Sequence, residues 1–309
     1  MSTVSVNQIE GSNNKIIVDK DTRLEITTGL VLPRVIDGVA AVVDGGAGSL
    51  VFNEQTKDVQ LVTPSSYSSS AGGALGSSAD NAASSPAALQ AAGITTDGGY
   101  WISLPSVGAR LTYCAMNSGF QGGGWMLAWK CTVGTTFSYT SSYWSSTNTI
   151  NETDMSRNNA DAKYDVFNYY NATQIMAVFP TLNQGGQASG YGTGWSWLST
   201  GQNTTLLNRF QVNQQLSGNP RGENMWSGSG FSAQGGFQWY GYNYNSSYNG
   251  TQVRWGFGWN NEGDQNSNDV GGGIGCNSTW GNWSCGDRIN CCASTSGFNG
   301  GTRAEIWIK

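Results

Sequence analysis

The 309-residue sequence contains no histidine. That excludes Ser-His-Asp and Cys-His catalysis and every zinc site with a histidine ligand. Charge is also scarce, at 11% Asp, Glu, Lys and Arg against roughly 25% in typical soluble domains. The 15 basic and 20 acidic residues leave a net charge of −5. No block of Lys or Arg stands out, so a nucleic-acid backbone is not an expected partner. No run of about 18 apolar residues is present, and no membrane insertion is expected. The opening MSTVSVNQIEGSNN has neither a basic n-region nor an apolar h-region, so a Sec-type signal peptide is not expected. Only six prolines occur, and the first 113 residues have no cysteine. Nucleophile motifs, phosphate loops and dinucleotide fingerprints are missing too, because the Gly-rich stretches are flanked by Ser, Asn and Trp. Enzymatic activity is therefore not expected, although carboxylate pairs for glycoside hydrolysis depend on spatial separation that sequence does not give.

What is abundant is glycine, at 44 residues, and aromatic residues, at 12%. Low charge with many rings is the opposite of a disordered composition. It suggests tightly turned, irregular structure pinned by large side chains. The six cysteines are Cys114, Cys131, Cys276, Cys285, Cys291 and Cys292. An even, clustered count reads as disulfides formed in an oxidising setting. Nearness in sequence suggests Cys114–Cys131 and Cys276–Cys285, with Cys291 and Cys292 harder to place. Zinc through cysteines alone lacks the usual CxxC knuckles. Disulfides without an export signal are reconciled by a virion component, made in the host cytoplasm and exposed after lysis. Secretion by another route is the alternative.

Along the chain, residues 1–62 read as short strands at Val4–Val6, Lys15–Val18, Arg23–Ile26 and Val59–Val62. So small a module has little core of its own and is expected to oligomerise. Leu30–Arg34, Gly48–Glu54 and Val59–Leu61 resemble the strand–turn–strand units of phage tail-fibre proteins. That resemblance implies an intertwined homotrimer anchored to a virion tail or capsid; a monomeric β-rich extension is the other reading. Residues 63–84 form a Ser/Ala/Gly linker. The spacing predicts a helix over 85–93, with Pro86 at its first position and Gly93 at its stop. Arg303–Ile308 alternates like a strand and is expected to close the sheet.

Across 85–309 an ordered set of motifs appears. They are Leu89–Gly93, then Asp97-Gly98-Gly99-Tyr100-Trp101-Ile102, Tyr113-Cys114-Ala115-Met116 and Gly122-Gly123-Gly124-Trp125-Met126-Leu127. This set resembles the fibrinogen-like domain. Lys130-Cys131-Thr132-Val133-Gly134, Asn260-Asn261-Glu262, Gly275-Cys276-Asn277 and Cys285-Gly286-Asp287 are similar to the intelectin branch. The resemblance implies an α+β fold with small twisted antiparallel sheets, few short helices and long Gly-rich loops. The chain departs from the family in lacking the cysteine upstream of Cys114 and in carrying Ala115 for an acidic residue. Thr279 and Trp280 also stand where intelectins have a sugar-coordinating Glu and His.

The resemblance further implies structural Ca²⁺, bound by the Gly122–Gly124 carbonyls (Gly122 and Gly123 foremost) with Asp161 and Asp287; Asn277 would belong to a second, sugar-coordinating site. Turn-capping is the simpler reading of the two aspartates. Glu262, Asp264 and Asp269 alternate with Gly and Asn and could form another calcium loop, or a solvated one. Trp125, Trp129 and Trp255 are expected in the core. Trp280, Trp283, Tyr240, Tyr242 and Tyr244 are candidate ligand-stacking rings, since exposed aromatics pack on sugar faces. The combined expectation is a virion fibre or decoration protein that binds a host surface glycan or receptor. A secreted calcium-dependent lectin and a purely structural surface module are the alternatives.

Overall fold

Strands in this chain are rich in tryptophan, tyrosine, β-branched residues and glycine, whereas helix formers come in short bursts. The computed structural model describes residues 34–35, 50–53, 58–61, 74–182, 185–186, 195–211, 237–245, 252–264, 267–278, 281–289 and 300–309. The chain divides into two units, residues 1–70 and 71–309.

In the first unit, β1 (Arg34–Val35) runs parallel to β2 (Leu50–Asn53), and β2 pairs antiparallel with β3 (Asp58–Leu61). The register places Leu50 opposite Leu61 and Phe52 opposite Val59, the pairing expected for the strand–turn–strand segment. The strands expected at Val4–Val6, Lys15–Val18 and Arg23–Ile26 lie outside the described residues.

The second unit contains α1 (Pro86–Ala91), β4 (Gly98–Leu104), β5 (Gly108–Ala115), β6 (Trp125–Cys131), β7 (Ala162–Lys163), α2 (Asp165–Tyr169) and β8 (Ala172–Phe179). There follow β9 (Gly185–Gly186), β10 (Trp195–Thr204), α3 (Leu206–Gln211), β11 (Phe237–Asn245), β12 (Gln252–Asn260), β13 (Val270–Ser278), β14 (Gly281–Ile289) and β15 (Ala304–Ile308). One sheet has the order β4-β5-β6-β15-β8-β10-β9, with β7 also on β6; the other is the antiparallel meander β11-β12-β13-β14.

The α+β expectation is corrected by this architecture, which is mostly β. The helix at 85–93 does form where its signals place it: the Ser85 hydroxyl accepts the Ala88 N–H, Pro86 opens the helix, and Gly93 takes φ +80°. It spans only six residues, and α2 and α3 are as short. Helices of one or two turns present too little apolar surface to make a layer. The strands supply most of the core instead, and the short helices add single rings to it, Phe167 and Phe210 meeting Trp144.

β15 is not an edge strand. It lies between β6 and β8, with Ile306 opposite Trp129 on one side and Ala177 on the other. All residues of β6 and β15 are buried, which explains their near-continuous apolar runs. Trp125, Trp129 and Trp255 are core residues as expected. Trp129 packs edge-on to Phe137 at 5.1 Å and beside Trp144 at 5.5 Å. Two charges interrupt these strands, Lys130 and Glu305, directly opposite each other in register. Each is held by polar groups, most of them outside the sheet. Lys130 donates to Asp154 Oδ2 (2.7 Å), the Ser156 carbonyl (2.8 Å) and Asn158 Oδ1 (2.5 Å). Glu305 accepts from Arg157, Arg303 and Trp307 Nε1.

Glycines, expected mainly in loops, also form a row across the middle of the four-stranded sheet. Gly241 pairs with Gly256, Gly256 with Gly273, and Gly273 with Gly286. A Cβ on Gly256 would lie 1.9 Å from the Gly272 carbonyl oxygen, and Gly273 has φ +129°. The row brings the four backbones close together. Tyr242, Trp255, Ile274 and Cys285 on one side of it, and Phe257, Trp259 and Val270 on the other, join the main core; Trp239, Val253 and Cys276 form a second cluster with Trp283 against it.

Candidate functional site

The Gly-rich turn before β6 is built from four successive left-handed residues, Gln121 (φ 47°), Gly122 (80°), Gly123 (69°) and Gly124 (76°). A Cβ on Gly123 would approach the Met116 carbonyl oxygen to 2.2 Å, so the conformation requires glycine. The turn aims three carbonyls outward, and the protein's own donors meet them. Gln121 O accepts from Trp125 Nε1 (3.2 Å), Gly122 O from Gln90 Nε2 (3.0 Å) and Gly123 O from Lys309 Nζ (2.7 Å). The Lys309 ammonium thus meets one of the carbonyls expected to hold calcium.

Asp161 stands elsewhere. Its Oδ1 accepts the Thr132 N–H (2.9 Å), its Oδ2 the Thr136 hydroxyl (2.6 Å), and its carbonyl the Asn151 amide (2.7 Å). Trp125 and Thr132 are separated by the length of β6, about 23 Å at ~3.3 Å per residue. Calcium ligands lie within about 2.6 Å of the ion. Gly122 and Gly123 therefore do not share an ion with Asp161, and the expected ligand set does not fit a single site.

Asp161 instead closes the loop Thr132–Phe137, which is fastened to β14 from the other side. Ser284 N–H donates to Gly134 O (2.7 Å), and Ser284 Oγ accepts from Phe137 N–H (2.9 Å). Asp287, three residues further along β14, is fully buried opposite Gly272, and its N–H donates to Gly300 O. Among the described residues no group of three or more Cys, Asp and Glu side chains gathers as a metal cluster. Asn277 is opposite Asn282 and gives its amide to Gln252 Oε1 at 2.8 Å. It is five residues along β13 from Gly272, so about 17 Å separates it from Asp287.

The acidic run forms the β12–β13 hairpin, organised by buried Asn260. Its amide donates to Asp264 O (2.6 Å) and to Ser267 Oγ (3.3 Å), while its Oδ1 accepts the Glu262 N–H (3.2 Å). Asp269 is buried and accepts the Asn261 N–H through Oδ2. Burial pushes its carboxyl pKa up, and the neighbouring Glu262 charge adds to the shift. Glu262 and Asp264 are exposed.

Phe237, opposite Asn260 at the start of β11, is 42% exposed and packs over this hairpin, close to Gly263. Its other neighbour is Trp239, stacked at 6.4 Å and 24°. The hairpin tip therefore joins an exposed ring to two exposed carboxylates. A ring face stacks on C–H surface, and carboxylates accept strong hydrogen bonds from hydroxyls. Phe237 was not among the ring candidates.

The expected rings sit differently. Tyr242 is buried, stacked on Trp255 at 5.1 Å, with Phe210 at 5.8 Å and the Arg209 guanidinium 5.1 Å from its ring. It is a core residue, which corrects its assignment to ligand binding. Half-buried Tyr240 meets the edge of Trp197. Trp283 has the Arg288 guanidinium 4.5 Å over its ring, and a Cβ on Gly301 would touch that ring at 2.6 Å. It is half-buried beside these groups. Trp280 and the Tyr244 side chain lie outside the described residues.

No known protein-family model matches the chain, and no curated protein matches it.

Proposed function

We propose that the chain is a non-enzymatic recognition protein, a virion-associated fibre or decoration protein whose larger unit binds a glycan or receptor on the host surface. The carrying observation is the β12–β13 tip, where exposed Phe237 lies over Gly263 beside Glu262 and Asp264. At the tip Asp264 Oδ2 accepts from the Ser267 hydroxyl at 3.2 Å; the carboxylates of Asp97, Asp154, Asp161, Asp165 and Glu305 are tied to backbone amides or to Lys and Arg. Such engagement suits scaffold roles and leaves them poorly placed for acid–base chemistry. Among the described residues the N-terminal strands are two to four residues long, and a module of this size has little core of its own, which supports assembly as a homotrimer on a tail or capsid protein.

The test is a glycan array with the intact protein and its Phe237→Ala variant, with light scattering on both. Binding that disappears in the variant, from a trimeric protein, supports the proposal. Undiminished binding in Phe237→Ala, or a monomer at micromolar concentration, goes against it. A second reading, a calcium-dependent lectin, rests on Asp161 and on Asp287 three residues from Ser284, at opposite sides of the Thr132–Phe137 loop. Chelation that lowers the melting temperature of the native protein but not of Asp161→Asn favours it, and an unchanged melting temperature counts against it.

A further inference from the structure

Four cysteines lie among the described residues, Cys114, Cys131, Cys276 and Cys285, and all are buried thiols. Strand register corrects both pairings suggested by nearness in sequence. Cys114 is opposite Met126 near the start of β6, whereas Cys131 ends that strand. Five residues of strand place them about 17 Å apart, far beyond the ~4.4–6.8 Å between Cα atoms that a disulfide spans. Cys276 is opposite Trp283 and Cys285 opposite Ile274. The two are diagonal neighbours, about 7–8 Å apart in a regular ladder, and they pack in different clusters.

A third combination converges on Thr302. Cys131 Sγ lies 4.0 Å from the Thr302 carbonyl oxygen, and the Thr302 N–H donates to the Cys285 carbonyl at 2.9 Å. Beside these contacts, Gly134 O accepts from Ser284 N–H, and Gly286 bridges Gly301. The end of β6 and the middle of β14 are thereby clamped at residues adjoining both thiols. Cys131 is 1% exposed and Cys285 0%, so each thiol has protein, not solvent, for company.

We propose that Cys131 and Cys285 join as a disulfide in an oxidising medium, stapling the large sheet to the four-stranded sheet, while Cys114 stays a thiol. Two thiols lose two protons and two electrons as the S–S bond forms. A disulfide oxidant of the glutathione type accepts the electrons and is reduced to two thiols. Burial raises the pKa of both cysteines well above the ordinary thiol value. Thiolate is therefore scarce in the native fold, and bond formation belongs to folding, when the sulfurs are still solvated.

The experiment is a peptide map of the whole chain refolded in a glutathione redox buffer, alkylated in denaturant before digestion. The expected result is one linked species containing the Cys131 and Cys285 peptides, with Cys114 alkylated. Recovery of Cys131 and Cys285 as alkylated peptides, or either one linked to another cysteine, overturns the proposal. As a second readout, reductant lowers the melting temperature of the oxidised wild type by roughly 5–10 °C. The Cys131→Ser/Cys285→Ser double variant shows no such response. A double variant that responds as strongly as wild type also overturns the staple, and if it does not fold, the wild-type map decides alone.

Discussion

Glu305 is the most informative residue to perturb, because it is a fully buried carboxylate on the central strand β15. Its Oε2 accepts from Arg157 Nη2 (2.7 Å), Arg157 Nε (3.0 Å) and Trp307 Nε1 (3.0 Å); its Oε1 accepts from Arg303 Nη2 (2.9 Å). Arg157 also stacks 5.1 Å from the rings of Phe120 and Trp307. In Glu305→Gln the side chain keeps its shape, but one acceptor oxygen becomes an amide that faces donors whichever way it turns. At least one guanidinium loses its partner, and the two cations are left without a counter-charge. Breaking a fully buried pair costs about 3–5 kcal/mol; with the Arg157 side chain 30% exposed and that of Arg303 17% exposed, water recovers part of this and about 2–3 kcal/mol is expected. With a urea m-value of about 3 kcal/mol/M for a unit of this size, the midpoint should fall by roughly 0.7–1 M. The control is Arg110→Met, which removes the Arg110–Asp165 bridge (2.6 Å) from a side chain 38% exposed; a pair this open contributes under about 1 kcal/mol. Equilibrium urea unfolding followed by tryptophan fluorescence reads both. A Glu305→Gln midpoint within about 0.3 M of wild type, or no larger a drop than Arg110→Met, would refute the claim that the two guanidiniums depend on this carboxylate.

Three further outcomes are expected. Burial tends to raise the Asp154 carboxyl pKa, but hydrogen bonds from Lys130, Ser156 and Asn158 outweigh it and leave the pKa lowered; the folded state therefore favours the ionised form, so the contribution is present above about pH 4 and lost as pH falls through the lowered value. Urea midpoints measured from pH 5 to pH 2 should decline less steeply in Lys130→Met than in wild type. Gly256→Ala, whose Cβ would meet the Gly272 carbonyl, should lower the melting temperature by more than 5 °C, whereas Gly134→Ala, with nothing within 4 Å of the added Cβ, should change stability by under about 0.5 kcal/mol; equal effects would refute the close backbone approach along the glycine row. Tyr242→Ala should destabilise by about 3–5 kcal/mol as a core truncation, while Phe237→Ala leaves the urea midpoint nearly unchanged.

Much of the local structure was legible because its signals are local. Ser85, Pro86 and Gly93 mark one helix within nine residues, and the Arg303–Ile308 alternation marks β15, though not its place in the middle of the sheet. What stayed hidden depends on pairing between distant segments. The Gly122–Gly124 turn reads as a row of carbonyls for a cation; one of them, Gly123 O, meets the Lys309 ammonium, 186 residues away. The disulfide candidates illustrate the same point. Cys131 and Cys285 become neighbours only through Thr302, which no spacing rule reveals.

The aromatic run of β11 shows how a one-residue choice of face decides a functional reading. Phe237 and Trp239 alternate with Gln238 and Tyr240, and side chains two apart share a face. Tyr242 falls on the side that packs against Trp255 and Phe210, so its ring is already matched within the fold. Phe237 falls on the other side, at the strand's first residue, where, among the described residues, Gly263 and Trp239 stand against it. A bulkier residue at 263 would cover that ring. Glycine there leaves it open beside Glu262 and Asp264, and this openness is the physical reason to look for the ligand at the β12–β13 tip rather than among the more numerous tyrosines.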